Sequence, residues 1–222
     1  MAVSYASCRT YAVVFVVLGV VLRGTLAEIC SDATNVCHNY DSVSNDKLQS
    51  QVQKELQASY MYQSYSYFFG RSDIALPGIS KFFARESLEE RSHADNLIEY
   101  INKRGGRIAF KDIKICKLIS GNVTATKLKH GLLAFQDALA LEKIVSQSLE
   151  GIIAEDDFQL NHFIENEYLD EQVDTIKILG DYVRQLEMFS DDQYTLGQYI
   201  FDKNLLKSLK HGKDKEDMTK QY

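Results

Sequence analysis

The sequence of 222 residues contains a single proline, Pro77, and only 12 glycines. Because so few residues interrupt a helix, long helices are permitted along most of the chain. An excess of positive charge is also absent, since 25 Lys and Arg residues stand against 31 Asp and Glu, a formal net charge of -6. This balance argues against nucleic acid as a partner, because phosphate binding needs a basic patch, and it suits a protein that attracts cations. The chain also lacks the internal repeat that a solenoid would show.

No apolar run is long enough to cross a membrane, which takes roughly 20 residues. Residues 11–22 form an apolar run between Arg9 and Arg23 that fits the apolar part of a secretory signal peptide. Because small residues lead up to Ala27, we predict a signal peptide over residues 1–27 that is cleaved after Ala27. An uncleaved signal anchor is the alternative. Cleavage would leave a chain in the secretory lumen or outside the cell, without a membrane contact.

Cysteine is scarce as well. Loss of the signal peptide would remove Cys8 and leave an odd set of three, Cys30, Cys37 and Cys116. Secretion favours disulfides, so we predict that Cys30 and Cys37 are oxidised, either to each other or across subunits, with Cys116 left over. Asn122-Val123-Thr124 is an acceptor triplet for N-glycosylation. Both a glycan on Asn122 and an unused triplet remain open.

Five segments carry apolar residues at helical spacing. They are separated by breakers or polar residues, which stand at positions 70–73, 105–106, 155–157 and 190–192. A long connection, from 107 to about 124, joins the second segment to the third. Two helix pairs with one long crossover describe an all-α four-helix bundle, followed by a short fifth helix. We predict an irregular arm over residues 28–43, the bundle with its fifth helix over 44–207 and a charged flexible tail over 208–222.

Polar side chains interrupt the apolar stripes of the four main helices. Glu55 lies on the first helix, Glu90 and His93 on the second, Glu142 on the third and Gln172 on the fourth. A buried carboxylate is costly unless it is compensated, so three on one bundle axis indicate bound cations. Carboxylates with one imidazole suit iron or manganese. The three-residue spacing of Glu90 and His93 brings both side chains to one point and is the motif of di-metal bundles.

The fourth helix departs from the symmetric form of that motif. It offers Glu171 and Gln172 in place of a second Glu-x-x-His pair, which favours weak binding and release over retention. Taken alone, a Glu-x-x-His pair is common on helices without metal, and Tyr62 on the first helix is explained by core packing. The joint pattern on four helices is what favours a metal site.

Five colinear blocks of the sequence resemble animal ferritins. The similarity covers roughly residues 44–207, and the blocks are long and specific. They are KELQASYMYQSYSYFF (54–69), SLEERSHADNLIEYINKRGGRI (87–108), ALEKIVSQSLEGI (140–152), FIENEYLDEQVDTIKILGDYV (163–183) and YIFDKNLL (199–206).

The resemblance implies a role for each polar residue of the stripes. Glu55, Glu90 and His93 match the ligands of a first iron ion. Glu90 also bridges to a second iron ion, which Glu142 binds. Gln172 matches the residue that holds a water molecule or dioxygen near the second ion. This set is that of heavy-type chains, which oxidise iron, and light-type chains lack it.

Further residues are assigned by the same resemblance. Tyr62 matches a tyrosine that assists electron transfer, and Glu89 matches an acidic neighbour used as iron moves inward. The threefold channels of ferritins are usually lined by an aspartate and a glutamate one turn apart, where this chain has His162 and Glu165. Because one carboxylate is lost and histidine titrates near neutrality, we expect a weaker or pH-sensitive route for cations at His162 and Glu165.

The function implied is iron storage in a hollow 24-subunit ferritin shell. Ferrous iron would be oxidised by dioxygen at the di-iron centre, a ferroxidase reaction, and ferric mineral would be deposited inside. The shell would assemble from this chain alone or with a second ferritin chain. Two other interpretations remain: a shell subunit with little oxidase activity that depends on a partner chain, and a secreted iron carrier or host-interaction protein in which storage is incidental.

Overall fold

The structure, a computed structural model, describes residues 36–113, 129–154 and 156–219, with side chains up to Leu209. Over these ranges it is all helical and contains no strand, which confirms the predicted fold class. No helix within them is long and apolar enough to cross a membrane. The predicted signal peptide, Cys30, Cys116 and the Asn122 triplet lie outside the described residues.

Four bundle helices and one further helix make up the described chain. α4, a π-helical turn and α5 follow one another without a break and together form the fourth bundle helix. The bounds are α1 (Ser42–Phe69), α2 (Pro77–Lys103), α3 (His130–Glu150), α4 (Phe158–Ile164), the π turn (Glu165–Leu169), α5 (Asp170–Glu187) and α6 (Tyr194–Thr219).

Helix α1 begins at Ser42, two residues before the predicted start of the bundle at 44. Asp41 caps it, because its Oδ1 accepts a hydrogen bond from the backbone N–H of Ser44 at 2.6 Å. Pro77 stands at the start of α2 as predicted, where its missing N–H is not needed.

Arg104 fixes the last residues of the arm against the bundle. Its guanidinium donates to the carbonyl oxygen of Asn39 at 2.7 Å and to Asp157 Oδ2 at 2.8 Å. Asp157 in turn caps α4 by accepting from the N–H of Leu160. One side chain at the end of α2 therefore holds the arm and the start of the fourth bundle helix together.

The fourth bundle helix was predicted without an interruption, and the π turn is a difference. Its buried residues Leu160, Ile164, Tyr168 and Gln172 are each four apart, whereas an α-helix repeats every 3.6 residues. A wider turn keeps all four on the face that points into the bundle. The π turn places Tyr168 against α2, where its hydroxyl donates to the carbonyl oxygen of His93 at 3.1 Å.

Helix α6 is longer than predicted. The sequence analysis predicted a short helix ending by 207 and a flexible tail over 208–222, but helical backbone continues to Thr219. The charge of this segment suggested an irregular tail, yet lysine and glutamate are good helix formers and no proline interrupts them.

Two apolar clusters fill the bundle, one at each end. The first is built around Tyr65, Phe83 and Phe135, and the second around Leu48, Leu97 and Leu149. On each of the four bundle helices, a buried polar residue stands between the members of the two clusters. These residues are Glu55, Glu90, Glu142 and Gln172. They form a polar layer across the middle of the bundle.

Candidate metal centre

Three predicted ligands meet in this polar layer. Glu55 comes from α1, and Glu90 and His93 come from adjacent turns of α2. Each offers one ligand atom, and these atoms lie within 4.8 Å of one another. Glu55 is 1% exposed and Glu90 is 6% exposed, so their charges are removed from water. Within the described residues, no other group of three His, Cys, Asp or Glu side chains meets this spacing.

Two carboxylate oxygens of this group lack a hydrogen-bond partner, and a bound cation would compensate for this lack. Glu55 Oε2 and Glu90 Oε2 are buried and have no hydrogen-bond partner. Glu90 Oε2 lies 3.6 Å from His93 Nδ1. Buried carboxylate oxygens without a partner are costly, and oxygen with imidazole nitrogen is a donor set that suits iron. The residues present therefore fit a ferrous ion.

Electrostatics in the layer favour a cation in the same way. Burial raises the pKa of Glu55 above its usual value, although Gln51 and His93 oppose this rise. Burial, then the nearby charges of Glu142 and Glu55, raise the pKa of Glu90 well above its usual value. Carboxylates held this close cannot all ionise without compensation, and a divalent ion supplies it.

Glu142 is held differently, because both of its oxygens accept hydrogen bonds. The hydroxyl of Tyr62 donates to Oε1, and the amide of Gln172 donates to Oε2 at 2.9 Å. Burial, followed by the charge of Glu142, raises the pKa of Tyr62 well above its usual value, so the phenol keeps its proton and donates it. The negative charge of Glu142 helps to raise the pKa of Glu90, but Glu142 is not one of the three residues whose ligand atoms lie within 4.8 Å of one another. Tyr62 and Gln172 orient it beside that group.

Two contacts of the predicted ligands were not foreseen by the sequence analysis. The amide of Gln51 donates to Glu55 Oε1 at 2.6 Å, and Glu171 Oε2 lies 3.2 Å from His93 Nε2. The four-residue spacing of Gln51 and Glu55 on α1 was the available signal. Glu171 was named with Gln172 as what the fourth helix offers in place of a second Glu-x-x-His pair, but spacing alone did not show that it faces His93.

Glu89 lies at the exposed edge of the layer, beside Glu171. Partial burial, then a hydrogen bond with Glu171 and its charge, raise the pKa of Glu89. This carboxyl pair adjoins His93 and extends the polar layer from the buried ligands to the surface.

His162 and Glu165 lie elsewhere, exposed on α4 and the π turn. The ring nitrogens of His162 are 2.9 Å from the amide nitrogen of Asn166. Within a single chain, His162 and Glu165 do not lie in the group formed by Glu55, Glu90 and His93. A role in a channel would need other copies of the chain, so their predicted metal binding remains a prediction.

Comparisons with known proteins agree with this arrangement. The Ferritin-like domain family matches residues 45–189. Soma ferritin of Lymnaea stagnalis is 45% identical over 174 residues, which span 77% of this chain and 94% of the relative. The middle subunit of ferritin from Salmo salar is 40% identical over 177 residues, 78% of this chain and 97% of the relative. The chain therefore belongs to the ferritin family.

Proposed function

We propose that this chain stores iron and oxidises ferrous iron with dioxygen at the polar layer. The observation that carries the proposal is the buried group of Glu55, Glu90 and His93, whose ligand atoms lie within 4.8 Å of one another. Two of its oxygens have no hydrogen-bond partner. Glu142, beside Glu90, supplies the carboxylate for a second ion.

The charges of the layer suit transient binding of two ferrous ions. The three carboxylates together carry about three negative charges, and two ferrous ions carry four positive charges. The occupied centre is therefore close to neutral. Each ferrous ion gives up one electron, and dioxygen takes up both with two protons to become hydrogen peroxide. The positive charge of the two ions then rises to six, so the same carboxylates compensate it less well and the ferric product departs.

The other residues of the layer have roles around that reaction. Tyr62 and Gln172 hold Glu142, and Tyr62, which contacts that carboxylate, would supply an electron to the centre. Glu171 accepts from His93 and fixes its ring, as carboxylates do for many metal-binding histidines. Exposed Glu89 and half-buried Glu171 would give the ferric product a path away from the buried ligands.

We further propose assembly into a 24-subunit shell, alone or with a second ferritin chain. Large apolar side chains are exposed on single subunits, among them Tyr67, Leu88 and Leu196 at 74%, 73% and 64%. Contacts between copies would bury such surfaces. His162 and Glu165, both exposed, would line a channel where three copies meet.

Secretion belongs to the proposal as well. The signal peptide over 1–27 would carry the chain into an oxidising compartment, where Asn122 is available for glycosylation. In that compartment Cys30 and Cys37 would be oxidised, either to each other, as their short spacing favours, or across subunits.

The experiment compares ferrous oxidation, followed optically, in the assembled protein and in a double variant, Glu90→Lys with His93→Gly. We expect fast oxidation to be lost, because Glu90 adjoins both ion positions and a lysine repels them, while the shell still assembles. A matched control is Glu99→Lys with Asn102→Gly, which makes the same charge reversal and introduces a glycine at the same three-residue spacing, at exposed positions of α2. Wild-type rates in the first double variant would refute the site.

A further inference from the structure

Gln51 is a buried polar residue beside the metal centre, and only part of its amide group is hydrogen-bonded. It lies on α1, one turn before Glu55, and is 0% exposed. Its amide donates to Glu55 Oε1 at 2.6 Å, while its own Oε1 is buried without a hydrogen-bond partner. Its neighbours on the buried face, Leu48 and Val52, belong to an apolar cluster.

Stability alone does not explain a glutamine at this position. A buried acceptor left without a partner is destabilising, and an apolar side chain at position 51 would remove that acceptor while leaving Oε1 of Glu55 without its donor. A methionine or leucine would continue the apolar cluster of Leu48 and Val52. What Gln51 supplies, and an apolar residue would not, is the hydrogen bond to Glu55.

Glu55 depends on that bond more than the other ligands depend on theirs. Glu142 is held by Tyr62 and Gln172, and His93 has Glu171 at 3.2 Å. Glu55 accepts from Gln51 through Oε1, and its Oε2 has no hydrogen-bond partner. With an ion bound between Glu55 and Glu90, Gln51 is the side chain that orients Glu55.

We propose that Gln51 is a positioning residue for ferrous iron at the first ion position. It binds Oε1 of Glu55 and thereby leaves Oε2, the oxygen without a partner, for the ion. This inference rests on the proposed function, because it assigns Gln51 a task at the same centre. Loss of a partner that orients a metal ligand typically weakens metal binding by about 10–100-fold.

The test uses Gln51→Met in the assembled protein, with Co²⁺ as a divalent probe that dioxygen leaves unoxidised. Binding to the centre is defined as the Co²⁺ binding that is lost in the Glu90→Lys, His93→Gly double variant. We expect the dissociation constant of these sites to rise about tenfold, while the melting temperature of the metal-free protein changes little, because the unpartnered Oε1 of Gln51 is removed as Oε1 of Glu55 loses its donor. The control is Gln53→Met, which also removes one glutamine hydrogen bond from α1, the exposed contact with the carbonyl oxygen of Asp112. It should bind Co²⁺ as the wild type does.

Other outcomes would contradict either the positioning role of Gln51 or the proposed function. A dissociation constant within about twofold of wild type would overturn the positioning role. Weaker binding together with a lower melting temperature would make Gln51 a structural residue and overturn it too. If wild-type protein showed no Co²⁺ binding that depends on Glu90 and His93, the proposed function itself would fail, and the inference would fail with it.

Discussion

At the scale of single residues, some buried polar groups have hydrogen-bond partners in the fold and others have none. Glu142 accepts two hydrogen bonds, whereas one oxygen each of Glu55 and Glu90 accepts none. Since native cores satisfy most buried polar atoms, these open oxygens support the ion position that we propose. His130 is a further residue left open, and it lies at the start of α3.

His130 gives a prediction about pH and stability. Both ring nitrogens lack a hydrogen-bond partner, the ring packs edge-on against Phe68, and burial lowers its pKa. The adjacent Lys129 pairs with Asp191, and no acidic partner of His130 is present within the described residues. Because the folded chain favours the neutral ring, its contribution to stability is complete above about pH 6.5 and is lost as pH falls below that value.

We therefore expect His130→Phe to reduce the loss of stability between about pH 7.5 and pH 5.5. The phenyl ring keeps the contact with Phe68 and cannot take up a proton. Melting temperatures of the wild type and the variant at both pH values measure the effect. An equal fall in melting temperature for both proteins would contradict the prediction.

At the scale of helices, α6 is attached to the bundle through the start of α2. Leu76, which precedes α2, makes no capping hydrogen bond with its side chain. Asp202 of α6 supplies one instead, because its Oδ1 accepts from the N–H of Ile79 at 2.8 Å. Gly78 permits this approach, since a Cβ there would lie 2.0 Å from the carbonyl oxygen of Asp202.

Two helical glycines should therefore respond in opposite ways to alanine. Gly78→Ala forces α6 away from α2 and should lower the free energy of unfolding by about 1–3 kcal/mol, as overpacking does. Gly180→Ala on α5 meets no atom within 4 Å and should raise it by about 0.5–1 kcal/mol through helix propensity. Chemical denaturation of both variants measures the difference. Equal effects would show that α6 does not dock as described.

Much of the helix order followed from the sequence, and the exceptions have physical reasons. Pro77 and the glycines at 105–106 are local signals, so the bounds of α2 were predictable. The π turn was not predicted, because its sign is a four-residue spacing of buried positions that also fits an ordinary helix. Glu55, Glu90 and His93 were found because each interrupts an apolar stripe. Gln51 was missed because an uncharged residue in a stripe gives a weaker signal than a carboxylate.

At the scale of the whole molecule, iron would enter the proposed shell through channels that are formed by several copies of the chain. In that assembly His162 and Glu165 would meet their counterparts where three subunits join. His162→Asp would add three negative charges to each such channel and should raise the rate of ferrous uptake, since charged channels concentrate counter-ions. Gln185→Asp, an equal charge change at an exposed position of α5, should leave uptake unchanged. Equal uptake in His162→Asp and wild type would mean that iron enters elsewhere.

The number of ferrous ions oxidised in the fast phase tests the central claim most directly. Ferrous iron is added stepwise to the assembled, iron-free protein in the presence of dioxygen, and the fast absorbance change is plotted against iron per subunit. A centre built from Glu55, Glu90, His93 and Glu142 predicts a fast phase that saturates at about two ions per subunit. That phase should be absent from the Glu90→Lys, His93→Gly variant. A fast phase that never saturates, or that survives intact in the double variant, would contradict the account.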